Sequence, residues 1–361
     1  MPEVTLDKSK FTHAVKIAES IIKKNSPLAP AQCVLIEWSG SQMQISSTGD
    51  AGSMTVSCEV LSCSGSGRVL IHPSRLEQFV SASRSDRVSM SYDDKDEKLV
   101  VKSGGRATFN TLDPETFPKL PAFSEDCTPV PGDEFRLAIK KSIALTYDAF
   151  GSQRIPVVYL DWRKGLYFVA SSENCISIVG PAHTECKGVR AMIPVESAKI
   201  LLKTDGDVGV CIEDKRVCFT SDNIQFSSPI AVWKFNKYDP ESPPACDKTV
   251  AKASVGAMLA ACRQVAAVAD VETQRVKFEV ANGEIAVSNP ATQFGEAEIP
   301  VRCEHTGEDW TLVNNKYPLM FLALQDDDDD FELCIEESNM KTFRMNCGNH
   351  VYLVSPMTVV G

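Results

Sequence analysis

The chain has 361 residues, 43% of them hydrophobic and 24% charged, which is typical of a globular protein with buried cores and excludes a disordered chain. Its formal net charge of −11 disfavours a protein that binds nucleic acid over its whole surface, but it allows cations to be gathered on one surface. No apolar run reaches the ~20 residues of a membrane span and the N-terminus lacks a signal-peptide pattern, so we expect a cytoplasmic protein without membrane contact.

The first segment of the chain predicts two amphipathic helices, each followed by alternating strands. The helices are predicted at 11–24 and 75–83, and the strands at 34–38, 43–47, 88–92 and 98–102.

The second and third segments repeat this order of elements. The second predicts helices at 135–141 and 196–202 and strands at 158–162, 166–171, 208–212 and 216–219. The third predicts helices at 255–261 and 317–324 and strands at 276–280, 285–288, 331–335 and 342–345. A period of roughly 120 residues is long enough for each copy to be a domain.

Two proline-rich stretches, 113–131 and 238–246, lie where the copies meet. Proline favours extended chain, which suits connectors. We therefore predict an α+β protein of three similar domains, 1–124, 125–246 and 247–361, each with two helices and antiparallel sheets.

Cations collect on one face of several predicted helices, opposite the apolar face. They are Lys16, Lys23, Lys24, Lys140, Lys141, Lys199, Lys203 and Arg263, with Tyr147 on the same face as Lys140. Any surface helix exposes lysines, but their recurrence on equivalent helices of the first two segments favours a cationic lining there, whereas the third segment contributes only Arg263. Such a lining contacts phosphates without recognising bases, so binding should be sequence-independent and salt-sensitive.

Several strings in the chain resemble the bacterial DNA polymerase III beta sliding clamp family, in the family's order and spacing. The strings are 99–104, 111–120, 153–154, 193–194, 295–298 and 354–357. The resemblance implies three tandem DNA-clamp folds that close as a head-to-tail homodimeric ring around duplex DNA. It implies a nucleoid-associated processivity factor whose partners are the replicative DNA polymerase, the clamp loader and other proteins with a clamp-binding motif.

The resemblance also implies a peptide pocket between domains two and three. Its positions fall on Val157, Ser171, Asn174, Ile176, Pro243, Leu353, Pro356, Met357 and Val359. The family's Thr-Asp-Gly-His-Arg string is here 171–175, which lacks the His and Arg and carries Glu173, so peptide preference should differ. Ordinary packing of a strand or a chain terminus remains the alternative for each of these residues.

Three further positions correspond to the family's dimer contacts, namely Ala107, Ala267 and Val268. Their small side chains bury little apolar area, so the sequence predicts a weak dimer.

Other features of the sequence suggest functions that we consider less well supported. The acidic run 326–330 lacks the spaced ligands and glycine of a calcium loop and is predicted to be a solvated turn. The thirteen cysteines and five histidines form no tight metal-ligand pairs, so we expect reduced thiols, no metal, no cofactor and no catalytic residue. A trimeric ring, a hydrolase using 326–330 and a non-catalytic protein scaffold remain the alternative hypotheses.

Overall fold

The computed structural model describes residues 2–23, 25–93, 97–124, 126–146, 156–172, 174–232, 249–336 and 342–357. The chain forms two compact units. Unit 1 comprises Met1–Arg136 and Glu196–Ala231, and unit 2 comprises Leu137–Val195 and Val232–Gly361. The chain passes between the units after residues 136, 195 and 231, which differ from the boundaries of the three predicted domains, and the three-domain division stays a prediction.

The first third of the chain contains helices α1 (Lys8–Glu19) and α2 (Pro73–Ser81). Its strands are β1 (Glu3–Asp7), β2 (Val34–Ser39), β3 (Gln42–Gly49), β4 (Gly52–Glu59), β5 (Ser62–Ser64), β6 (Gly67–Ile71), β7 (Arg87–Asp93), β8 (Lys98–Lys102) and β9 (Arg106–Asn110).

The middle third contains helices α3 (Gly132–Thr146) and α4 (Val195–Leu201). Its strands are β10 (Thr128–Val130), β11 (Val157–Trp162), β12 (Tyr167–Ser171), β13 (Cys175–Val179), β14 (Val189–Pro194), β15 (Val208–Ile212), β16 (Arg216–Thr220) and β17 (Ile224–Pro229).

The last third contains helices α5 (Val255–Ala266) and α6 (Lys316–Leu322). Its strands are β18 (Thr249–Ser254), β19 (Arg275–Ala281), β20 (Glu284–Ser288), β21 (Glu298–Arg302), β22 (Glu304–Thr306), β23 (Asp309–Asn314), β24 (Asp330–Ile335), β25 (Phe343–Cys347) and β26 (His350–Val354).

Helix α1 shows how local chemistry sets the ends of an element. The Asp7 carboxylate accepts a hydrogen bond from the backbone N–H of Lys10 at 3.0 Å, which starts the helix earlier than the predicted residue 11. At the other end the Ser20 hydroxyl donates to the carbonyl of Ile17 at 2.6 Å. The predicted apolar face is confirmed, because Phe11 and Ala14 are buried along with the rest of that stripe.

Unit 1 contains two antiparallel sheets. One has the order β5-β1-β7-β8-β9, and the other has the order β10-β15-β16-β17-β4-β3-β2-β6. In the second sheet, β17 pairs with β4, with Ile224 opposite Val56. Strands from the first and second thirds of the chain therefore form one continuous sheet.

Unit 2 is organised in the same way. One sheet has the order β14-β11-β12-β13-β26-β25-β24-β18-β22, and the other has the order β21-β20-β19-β23. Strand β13 pairs with β26, with Ile176 opposite Leu353. Because both long sheets cross the predicted domain junctions, the compact units do not coincide with the repeats.

The first proline-rich connector packs on unit 1 through an aromatic side chain. Phe117 is 8% exposed and lies in an apolar cluster with Cys33, Leu35 and Leu70. This contact holds the connector against strands β2 and β6. No helix among the described residues is long and apolar enough to cross a membrane.

Candidate functional site

The predicted cations of α1 are exposed and have acidic partners. Lys16 Nζ lies 3.1 Å from the Glu77 carboxylate of α2. Lys23 Nζ lies 2.7 Å from Asp50. These are surface pairs that a phosphate can displace at little cost. The predicted Lys24 lies outside the described residues.

The predicted cations of the later helices are less uniformly paired. Lys199 is half-buried and bonds Glu196 at 2.6 Å. Lys140, Lys203 and Arg263 are exposed, and the described part of the chain gives none of them an acidic partner. Tyr147 lies outside the residues that the structure describes.

Lys141 does not face outward as predicted. Its residue is 8% exposed, and Nζ donates to the Gln325 side-chain oxygen at 2.9 Å. Burial lowers the pKa of the Lys141 ammonium. Helical periodicity places Lys141 near the border of the apolar face of α3. The segment after α6 packs against this border and buries it. The prediction that Lys141 lies on the outward face of its helix was wrong.

Several of the predicted pocket residues lie together in unit 2. Ser171 ends β12 and pairs with Ile176 of β13, which in turn pairs with Leu353 of β26. The backbone N–H of Ser355 donates to the carbonyl of Asn174 at 2.8 Å. Ile176 and Leu353 pack in an apolar cluster that also contains Tyr159, Val169 and Ile178.

Three further predicted pocket residues lie on or just after strands of the same sheet. Val157 is buried at the start of β11, and Pro356 and Met357 are half-buried just after β26. Pro243 and Val359 fall outside the described residues.

A cavity of about 410 Å³ adjoins Asn174, Pro356 and Met357. Its other wall contains residues that the sequence did not single out, namely Glu272, Arg275, Asn314, Lys316 and Tyr317. No local motif marks these residues, because they come from a loop, two strands and a helix.

Side-chain contacts order one wall of this cavity. The Ser172 hydroxyl donates to the phenol oxygen of Tyr317 at 3.3 Å. Lys316 Nζ lies 4.8 Å from the centre of the Tyr317 ring, within cation–π distance. The backbone N–H of Met357 donates to the carbonyl of Leu312 at 2.7 Å. The segment after β26 is thereby held along the edge strand β23, beside the cavity.

One predicted dimer residue lies on an edge strand, and the other two follow helix α5. Ala107 is half-buried on β9, which is an edge strand of its sheet in unit 1. Ala267 is exposed and Val268 half-buried just after α5, and the carbonyl of Val268 accepts from the Thr292 hydroxyl at 2.8 Å. The loop of Thr292 precedes the edge strand β21 and presents Phe294, 56% exposed, which the sequence analysis missed.

The acidic run forms the predicted exposed loop between α6 and β24. Two of its backbone carbonyls accept hydrogen bonds from the first turn of α5. Val255 N donates to the Asp329 carbonyl at 2.9 Å, and Gly256 N donates to the Asp327 carbonyl at 3.0 Å. Among the described residues no group of three or more acidic, histidine or cysteine side chains is arranged to hold a metal ion.

Comparisons with known proteins agree with this architecture. The family model described as the DNA polymerase III beta subunit, N-terminal domain, matches residues 3–121. The beta sliding clamp of Pseudomonas aeruginosa is 22% identical over 380 residues, which cover 98% of this chain and 99% of that protein.

Two solved structures show the same fold over the full chain. DNA polymerase III subunit beta from Pseudomonas aeruginosa has a TM-score of 0.86 at 17% identity and covers 99% of this chain and 100% of its own. The beta subunit from Thermotoga maritima has a TM-score of 0.84 at 18% identity and covers 100% of both chains. Over its full length the chain is therefore similar to beta sliding clamps, and its residues 3–121 match the family of the DNA polymerase III beta subunit, N-terminal domain.

Proposed function

We propose that this chain is a DNA sliding clamp, a non-catalytic processivity factor that closes around duplex DNA as a head-to-tail homodimer. The observation that carries the proposal is the full-length match to a beta sliding clamp. Exposed cations on α1, α3 and α5 support it, since they suit loose contact with phosphates. A ring tethers by topology, which explains how a chain with a net charge of −11 can stay on DNA.

The proposed partners bind as short peptides at the unit 2 cavity and the neighbouring Ile176 and Leu353. A replicative polymerase attached in this way stays at the template at high effective concentration. The clamp loader and other proteins with clamp-binding motifs would compete for the same place. We expect this activity at the nucleoid, in the cytoplasm.

The proposed dimer joins the edge strand β9 of one copy to the edge strand β21 of another. The first edge exposes Arg106 beside Lys102, and the second begins at exposed Glu298 just after Glu296. Opposite charges at unlike edges favour head-to-tail assembly.

Topology of the DNA is expected to decide whether the protein is retained. The protein is loaded onto nicked circular DNA with a clamp loader and gel-filtered, and half of the sample is then linearised. A sliding ring stays on the circles and leaves the cut molecules from their ends. Equal retention on both forms, measured as protein per DNA in the excluded fractions, would show ordinary surface binding and contradict the proposal.

The unpaired cations on and beside the helices are expected to set the salt dependence of contact with the duplex. Replacing Lys140, Lys203 and Arg263 by glutamine should lower the slope of log affinity for linear duplex DNA against log salt by roughly 2 to 3, because each phosphate contact contributes about 0.9. The control is Lys252→Gln, which removes a surface cation paired with Asp330 at 3.3 Å. An unchanged slope in the triple variant would favour the protein-scaffold hypothesis.

A further inference from the structure

We propose that the unit 2 cavity binds a carboxylate of the partner peptide, held by Arg275 next to an apolar anchor of that peptide. The inference rests on the proposed function and specifies the chemistry of its partner. The cavity measures about 410 Å³, which is large enough for one or two side chains of an extended peptide.

Arg275 is the central residue of this inference. It begins β19, opposite Asn314 of β23, and both residues line the cavity. Arg275 is half-buried, and its Nε–H is buried without a hydrogen-bond acceptor among the residues that the structure describes. Because Arg275 lines the cavity, a ligand that places a carboxylate oxygen against its guanidinium gains a charge-assisted hydrogen bond.

An acidic side chain that senses the charge of Arg275 is engaged in its own turn. The Asp270 carboxylate accepts from the backbone N–H groups of Glu272 at 3.1 Å and Thr273 at 2.8 Å, and from the Thr273 hydroxyl at 2.9 Å. Those bonds, with Arg275 nearby, lower the pKa of Asp270 and keep it charged. All three bonds go to Oδ1, so Asp270 attracts Arg275 at a distance while one of its carboxylate oxygens is bonded to its own turn.

The other charges of the cavity define where an anion fits. Lys316 adds a second cation on the same wall, above the Tyr317 ring. Glu272 also lines the cavity, but it is exposed to solvent and therefore screened. The balance on this wall is two cations against one exposed carboxylate.

The opposite wall supplies the apolar half of the site. Pro356 and Met357 line the cavity and are half-buried, and the backbone bond from Met357 to Leu312 fixes their position. A fitting ligand therefore presents an apolar side chain and a carboxylate a few ångströms apart. That carboxylate comes either from an aspartate or glutamate side chain or from the free C-terminus of the partner.

Three tetrapeptide probes separate these two sources. They are acetyl-Ser-Asp-Leu-Phe-amide, acetyl-Ser-Asn-Leu-Phe-amide and acetyl-Ser-Asn-Leu-Phe with a free carboxylate, and their affinities for the full chain are measured by calorimetry. At least one charged probe should bind about tenfold more tightly than the neutral probe. The charged probe that does so identifies the source of the carboxylate.

Variants then locate the contact. Arg275→Gln should abolish the preference for the charged probe and leave the neutral probe's affinity unchanged, whereas Lys252→Gln should keep the preference. Glu272→Gln should strengthen binding of the charged probe. Equal binding of all three probes to the native chain and to Arg275→Gln would overturn the carboxylate site while leaving the apolar pocket intact.

The proposed pocket itself has a separate test with the same probes. Met357→Asp places a charge beside the apolar anchor and should weaken all three. If no probe binds the native chain at millimolar concentration, or if Met357→Asp binds all of them as the native chain does, both the pocket and the carboxylate site are wrong.

Discussion

Replacing His350 by alanine is expected to lower the free energy of unfolding of unit 2 by about 3–5 kcal/mol, close to the upper end for a single substitution. His350 is fully buried, and its ring centre lies 4.9 Å from that of Phe321 and 5.0 Å from that of Tyr352. Alanine would leave a cavity between these rings and also remove the partners of two buried polar groups.

The hydrogen bonds of His350 fix its protonation state. Lys141 donates to the Gln325 oxygen, so the Gln325 amide nitrogen must face His350, and it donates to Nδ1 at 2.8 Å. Nδ1 is therefore an acceptor, and the proton resides on Nε2, which donates to the Ser177 hydroxyl oxygen at 3.1 Å. Burial, aided by the nearby Lys141 charge, lowers the pKa of His350 well below its ordinary value.

This depressed pKa predicts a loss of stability in mild acid. Below about pH 6.5 the unfolded chain takes up a proton at His350, whereas the folded chain resists protonation until the pH falls to its depressed pKa. The unfolded state then binds more protons, so the free energy of unfolding falls as the pH falls, by about 1.4 kcal/mol per pH unit from this one group. Above pH 6.5 the contribution is fully present.

Urea unfolding between pH 5 and pH 8, followed by tryptophan fluorescence, measures both effects. His350→Gln should reduce the slope of stability against pH in the acidic range, whereas His13→Gln, which changes an exposed residue of α1, should not. A slope that is the same in native chain and His350→Gln would show that His350 titrates normally and would contradict the buried network.

The sequence predicted the elements well because their information is local. The apolar stripe of α1 and the alternation of strands such as β7 depend on neighbouring residues only, and both were placed within a few residues. The ends of α1 depended on Asp7 and Ser20, whose capping bonds start the helix three residues earlier and end it five residues earlier than predicted. A pattern of hydrophobic residues carries no signal for such bonds.

Contacts between distant segments could not be predicted in this way. Lys141 is buried by Gln325, which is 184 residues away in the chain. The long sheets depend on pairs such as Ile176 with Leu353, which no local period encodes. The pocket positions near β26 were predicted only because the chain resembles a known family, and they stay a prediction. Arg275 was missed because alternation marks it as a polar strand residue without showing which segment covers it.

A proline at position 108 is expected to weaken the proposed dimer by at least tenfold. The N–H groups of Ala107 and Phe109 on β9 point toward β8 and bond with it. This follows from the register of the two strands and from the bond that Thr111 N donates to Glu97 O. The N–H groups of Arg106, Thr108 and Asn110 therefore point to the free edge. Thr108→Pro removes a central edge donor and leaves the ladder with β8 intact, whereas Thr108→Val retains the donor and is the matched control.

Strand β21, the proposed partner of β9 in the dimer, already lacks one edge N–H donor in the native chain. Residues 297, 299, 301 and 303, on and beside β21, bond with β20. This follows from the register of the two strands and from two backbone bonds, Asn289 N to Ala297 O and Cys303 N to Gly283 O. Pro300 therefore lies on the free edge, where it supplies no N–H, as edge strands that avoid pairing often do. This missing donor adds to the small side chains of Ala107, Ala267 and Val268 in predicting a weak dimer.

Substitutions at the two edges are expected to change the dimer affinity in opposite directions. Pro300→Thr restores a donor and should tighten the dimer about threefold to tenfold, corresponding to one added hydrogen bond. Sedimentation velocity over a dilution series should thus rank Pro300→Thr above the native chain and Thr108→Val, with Thr108→Pro lowest. If Thr108→Pro and Thr108→Val have the same dissociation constant, β9 takes no part in the dimer, and the ring must close through another surface.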